Sequence, residues 1–183
     1  ALDVFIDTAA STVEVETLRS LKTADRMDYL VDHGLLKAYF EALEDEVYRR
    51  AAACRDAVRI EAPTLTFVLR LPGFPTSWFH RGLLSGLGSA EQPVLVLTHE
   101  AWSHQAQATW TSQGLSFLVL GGTRLDLWRP SDFDDVGFAL GLGNEGYWFE
   151  DFNDISATNP DPPKLHGKPV DYWAAIDVVN GRL

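Results

Sequence analysis

The residues best suited to chemistry lie together in Thr98-His99-Glu100-Ala101-Trp102-Ser103-His104. Two imidazoles and a carboxylate are the side chains that hold a divalent metal or move a proton at neutral pH. Their order is His-Glu-x-x-x-His. The zincin arrangement His-Glu-x-x-His places its imidazoles about one helical turn apart, whereas residues five apart on a helix point about 140° away from each other. A zincin protease site is therefore disfavoured unless His99 stands ahead of the helix. The competing reading is structural, with Thr98 or Glu100 capping a helix and the imidazoles packed or solvated. His99, Glu100 and His104 remain the catalytic or metal candidates, with the metal undetermined. No cofactor is expected.

Nucleophile and phosphate motifs are missing. Ser85-Gly86-Leu87-Gly88-Ser89 lacks the Gly-x-Ser-x-Gly order and reads as a flexible loop, and no Gly-Lys-Ser/Thr follows Gly82 to Gly88. Gly137, Gly141, Gly143 and Gly146 follow no strand and give no dinucleotide fingerprint. Cys54, the single cysteine, cannot close an internal disulfide and reads as a small buried hydrophobe on a helix face.

A second cluster has another character. Between Arg129 and Lys164 there is no Lys or Arg, while Asp132, Asp134, Asp135, Glu145, Glu150, Asp151, Asp154 and Asp161 alternate with Phe133, Phe138, Tyr147, Trp148, Phe149 and Phe152. The aromatics argue against a plain disordered acidic tail. No EF-hand spacing is present. The segment fits a folded surface for a basic or aromatic-seeking protein partner, with Tyr147, Trp148, Glu150, Asp151 and Phe152 as the binding candidates.

The elements that must position these groups are legible from period and punctuation. Thr23 is a candidate N-cap and Gly34 a candidate stop for a short helix; a longer one starts at Leu36, with Phe40, Leu43, Val47, Ala51 and Cys54 on one face. Ser11 and Glu14 suit a capping box, although Val13 to Glu16 also alternates like a strand, and that segment stays undecided. Thr64 to Leu71 reads as a strand, and Trp78 to Leu84 as a second. Val94 to Thr98 reads as a strand covered on both faces. Ala101 to Gln113 is a helix closed by Gly114, and Leu115 to Leu120 is another buried strand. Gly121-Gly122 signals a hairpin into an antiparallel strand, Arg124 to Arg129, and Tyr172 to Ile176 is a last short helix.

These parts predict one α/β domain over residues 1–183, with a mixed, partly antiparallel sheet flanked by helices. It divides into a helical part at 1–56, an α/β core at 63–129 and an acidic, aromatic extension at 130–183. The helix with Gln105 and Trp110, the strand Leu115 to Leu120, the Gly121-Gly122 turn and the strand Arg124 to Trp128 resemble the PD-(D/E)xK nuclease-like fold. That resemblance implies a metal-dependent nuclease centre on the strand Val94 to Thr98, yet neither its acid nor its Lys is present, and no Asp or Glu lies between Glu61 and Glu91. The scaffold it implies is catalytically silent.

Composition narrows the function further. Of 183 residues 46% are hydrophobic, enough for a sizeable core. Lys+Arg 15 against Asp+Glu 26 gives a net charge of −11, which disfavours nucleic acid as a partner. No apolar run suits a membrane span, and the chain reads as soluble and intracellular. It begins with Ala, as a processed or excised piece would. The expected function is a non-catalytic interaction or structural module. The alternatives are a metal-assisted hydrolase using His99, Glu100 and His104 with a tail carboxylate, and a carbohydrate or small-molecule binding domain using exposed Trp.

Overall fold

Two helix ends show how local sequence sets this architecture. Gly34 and Gly114 adopt φ of 66° and 86°, the left-handed conformation that glycine enters without steric cost. At the first, Leu35 N–H donates to Leu30 O at 2.8 Å; at the second, Leu115 N–H donates to Trp110 O at 3.2 Å. Both helices thus stop by the same glycine-centred motif, as the sequence predicts. The computed structural model describes residues 2–8, 10–71, 77–98, 104–123, 129–132, 146–149, 155 and 165–181, and they fall into two compact units.

The first unit, Ala1–Leu65 with Pro75–Glu91, is helical: α1 Leu2–Thr8, α2 Thr12–Ser20, α3 Thr23–Asp32, α4 Leu36–Glu61 and α5 Trp78–Leu87. The undecided segment is α2, and its capping box forms: Ser11 N–H donates to Glu14 Oε2 at 2.6 Å and Glu14 N–H to Ser11 Oγ at 3.4 Å. Thr23 is the first residue of α3 and Lys22 its cap, one position from the expectation. Phe5, Ile6, Leu18, Leu30, Tyr39, Ala42 and Leu43 form the core of this unit.

Three expectations are corrected here. Residues 78–87 are helix, neither strand nor, from Ser85 to Leu87, loop. The segment has no β-branched residue, Ser77 caps it, and Gly82 and Gly86 lie one turn apart on the side that meets α4. A Cβ on Gly82 would stand 2.5 Å from Glu44 O, and one on Gly86 2.5 Å from Ala51 Cβ and 2.6 Å from Tyr48 O. The two backbones therefore touch, and Arg55 closes the arrangement by donating to Gly86 O at 2.9 Å at the carboxyl end of α5. On α4 the expected face is only partly right. Leu43 and Ala51 are buried, whereas Cys54 and Phe40 are exposed, with Tyr39 and Ala42 inside instead. The helix serves a core cluster near its start and α5 further along, so no single stripe runs its length.

The second unit, Thr66–Phe74 with Gln92–Leu183, holds a four-stranded sheet: β1 Val68–Arg70, β2 Val94–Thr98, β3 Phe117–Thr123 and β4 Gly146–Phe149, in the order β1-β2-β3-β4. Helix α6, His104–Ser112, joins β2 to β3; α7, Pro169–Asn180, follows β4. All three pairings among the described residues are parallel, which corrects the partly antiparallel sheet while leaving the chain in the mixed α/β class. Gly121 and Gly122 make no hairpin: they continue β3, paired with Thr98 on one side and with Tyr147 and Trp148 on the other. Partners on both sides hold Gly121 extended, and Trp148 pairs with Gly122. The antiparallel strand expected at Arg124 to Arg129 lies outside the described residues except for Arg129. With 78–84 helical and the sheet parallel, the described elements do not support a nuclease-like order.

Partners in parallel strands share a face. One face carries Val94, Val96, Thr98 and Val119, each 0% exposed. Trp110 of α6 meets Phe117 there edge to face at 6.3 Å, and Tyr147 and Phe149 pack with Ile155, Tyr172, Ile176 and Val179. The other face carries the half-buried Leu95, Leu97, Leu118 and Leu120 and the exposed Val68. Burial along β2 therefore alternates, so the strand is fully covered on one face alone. No helix of the described residues is long and apolar enough to cross a membrane.

Candidate functional site

Parallel strands end together, so one edge of the sheet gathers every strand's carboxyl end. In open parallel sheets ligands bind outside that edge. Here it carries Arg70 at the end of β1, Thr98 at the end of β2, Gly121 and Gly122 of β3, and Trp148 in β4.

Trp148 organises the edge. It is paired with Gly122, whose lack of a side chain leaves the sheet surface low beside the indole. The indole N–H donates to Thr98 O at 3.3 Å, and the Arg70 guanidinium lies over the ring with Cζ 5.2 Å from its centroid. The indole thus links β4 to β2 and to β1 across β3. Thr98 is fully buried, Trp148 half-buried and Arg70 exposed, so the arrangement grades from the sheet interior outward to the surface.

Tyr147, one residue earlier, points to the opposite face. Its hydroxyl donates to Asn180 Oδ1 at 2.5 Å at the end of α7, and burial raises its pKa above that of an ordinary phenol. Tyr147 thereby fastens β4 to α7 while Trp148 faces the edge. Of the other expected site residues, His99, Glu100, Glu150, Asp151 and Phe152 lie outside the described residues. His104 opens α6, and only its backbone belongs to the described part. Among the described residues no group of three or more His, Cys, Asp or Glu is gathered to hold a metal ion.

Sequence reasoning missed Arg70 as a site residue. A signal was available, because it is the only charged residue of its strand and stands at the end that a parallel sheet exposes to ligands. The first unit offers less. Ser77 Oγ lies 3.0 Å from His80 Nδ1 and accepts His80 N–H at 3.3 Å, which is helix capping. An open groove of about 420 Å³ beside α1 and α4 includes Glu41, which is paired with Lys37 at 2.9 Å. Comparison of the chain with models of protein families, with curated proteins and with solved structures finds no match.

Proposed function

We propose that this chain is a non-catalytic interaction module that takes a basic protein segment at the carboxyl edge of its sheet. Trp148 is the centre of the binding surface, and the carboxylates of the acidic segment, Glu150 and Asp151 among them, surround it in sequence. The observation that carries this reading is the indole itself, held by Thr98 O at 3.3 Å and overlaid by an exposed guanidinium. A tryptophan fixed in orientation with a polar rim is the anchor type that dominates protein interfaces. The charge of −11 selects the sign of the partner.

The test is calorimetric titration with a Lys/Arg-rich peptide bearing aromatic residues, with a Glu/Asp-rich peptide as control. The basic peptide should bind; the pair Glu150→Gln and Asp151→Asn should weaken it while the melting temperature holds, and Trp148→Ala should weaken it at temperatures where circular dichroism shows the variant still folded. Absence of binding at low ionic strength, or equal binding by the variants, overturns the reading.

One observation favours a reading from another class. The sequence passes from Thr98, at the carboxyl end of an interior strand, straight into His99 and Glu100. A hydrolase would place its metal ligands there, with His104 and a tail carboxylate completing the set. Stoichiometric zinc, manganese or iron in the purified protein, measured by elemental analysis, would select that reading over the first.

A further inference from the structure

We infer that Asn180 is a site of spontaneous deamidation and that the Tyr147 hydroxyl, reaching over from β4, restrains the reaction. The modification is independent of the proposed interaction role. Asn180 is the last residue of α7 and Gly181 follows it, both of them exposed. An asparagine carboxamide is lost through attack by the backbone nitrogen of the next residue, and glycine, without a Cβ, leaves that nitrogen most open. The backbone does not require glycine here. Its φ of −72° and ψ of −8° suit any residue, and a Cβ would meet Asp177 O at 3.5 Å, an ordinary contact. In the reaction the Gly181 nitrogen bonds to Asn180 Cγ, the Cγ–Nδ2 bond breaks, and ammonia leaves with the proton that the nitrogen gives up. Water then opens the cyclic imide at one carbonyl to leave aspartate, or at the other to leave isoaspartate.

Two contacts hold the reaction back. Gly181 N–H donates to Asp177 O at 3.0 Å, which occupies the nitrogen until the last turn opens, as helix ends readily do. The second contact comes from 33 residues earlier in the chain, where the Tyr147 hydroxyl donates to Asn180 Oδ1 at 2.5 Å. To reach the nitrogen the carboxamide must turn about its side-chain bonds, and tied to β4 it cannot. Tyr147 is itself anchored, packing edge to face on Phe149 at 5.3 Å and against the cluster of Ile155, Tyr172, Ile176 and Val179. The restraint therefore belongs to the core rather than to the frayed helix end. Conversion sets a carboxylate at the carboxyl end of α7, where the helix dipole disfavours negative charge, and isoaspartate also lengthens the main chain by a methylene.

The experiment follows conversion at neutral pH, below the unfolding temperature, by peptide mapping with mass spectrometry and by enzymatic methylation of isoaspartate. The unaltered chain should convert at Asn180 more slowly than the same chain unfolded in urea, and Gly181→Ala should suppress the reaction in both states. Tyr147→Phe should convert about two- to tenfold faster than the unaltered chain, the range that the net worth of one hydrogen bond allows. Ile176→Val loosens the same core cluster and keeps the hydroxyl, so it separates this restraint from general stability. Its rate should stay near that of the unaltered chain. No acceleration by Tyr147→Phe, or equal acceleration by Ile176→Val, overturns the part given to Tyr147. Conversion that maps elsewhere, or none at Asn180 in any folded form while the unfolded chain converts, overturns the site itself.

Discussion

Glu46 shows how a single side chain makes stability depend on pH. Its carboxylate accepts from Arg50 Nε at 2.7 Å and pairs with Arg49, and the Arg50 hydrogen bond is the largest cause of a pKa below the ordinary carboxylate value. A folded-state pKa below the unfolded one means that the contribution is present above the ordinary carboxylate range and lost as pH falls through the folded value. Arg50→Gln should therefore raise the midpoint of the Glu46 carboxyl carbon in an NMR titration; an unmoved midpoint would show that the pair does not persist in solution. Tyr147 runs the other way. Burial favours its neutral phenol, so its contribution holds below the ordinary tyrosine value and drains away as pH rises past about 10 towards the folded value. Tyr147→Phe should flatten the alkaline limb of a stability curve while losing the bond to Asn180 at every pH. An alkaline limb unchanged by that substitution would place the titration elsewhere.

At the scale of elements, the α4 and α5 pair depends on the glycines that let the backbones touch. Gly86→Ala sets a methyl against Ala51 Cβ and Tyr48 O, and overpacking of this kind costs about 1–3 kcal/mol. Leu43→Ala, in the core cluster of the same unit, should cost about 2–5 kcal/mol through lost burial and the cavity left behind. Urea unfolding measures both, and a Gly86→Ala variant as stable as the parent would mean the helices are further apart than described. Those glycines also mark where the sequence stopped being legible. Helix ends at Gly34 and Gly114, the Ser11 cap and the runs that became β2 and β3 follow from local rules, because each is decided within about a helical turn of chain. Residues 78–87 defeat the same rules, since their spacing has meaning only against residues of α4, such as Glu44 and Ala51, that lie more than thirty positions away in sequence. Gly121-Gly122 misleads for a related reason: the dipeptide favours a turn, and pairing of Gly121 with β2 and of both glycines with β4 overrides it. Of the site, Trp148 was visible as an aromatic among carboxylates. Its partners Thr98 and Arg70 were not, because parallel pairing joins residues 50 and 78 positions apart.

At the scale of the whole molecule the governing quantity is the charge of −11. It opposes contact with phosphate backbones, and gel shifts with duplex DNA at physiological salt should show no binding below about micromolar concentration. The same charge should act on a basic partner through the rate of encounter rather than through the lifetime of the complex, because long-range attraction guides approach while short-range packing sets dissociation. Stopped-flow mixing with the Lys/Arg-rich peptide should therefore show an association rate that falls steeply as salt shortens the screening length from about 30 Å at 0.01 M to about 8 Å at 0.15 M. Glu150→Gln with Asp151→Asn should lower the rate at low salt and shallow its salt dependence, leaving dissociation nearly unchanged. Trp148→Leu should do the reverse, since it removes an anchor and no charge. If the rate ignores salt, or if both variants act on dissociation alone, the negative charge has no part in recognition and the partner is selected by shape.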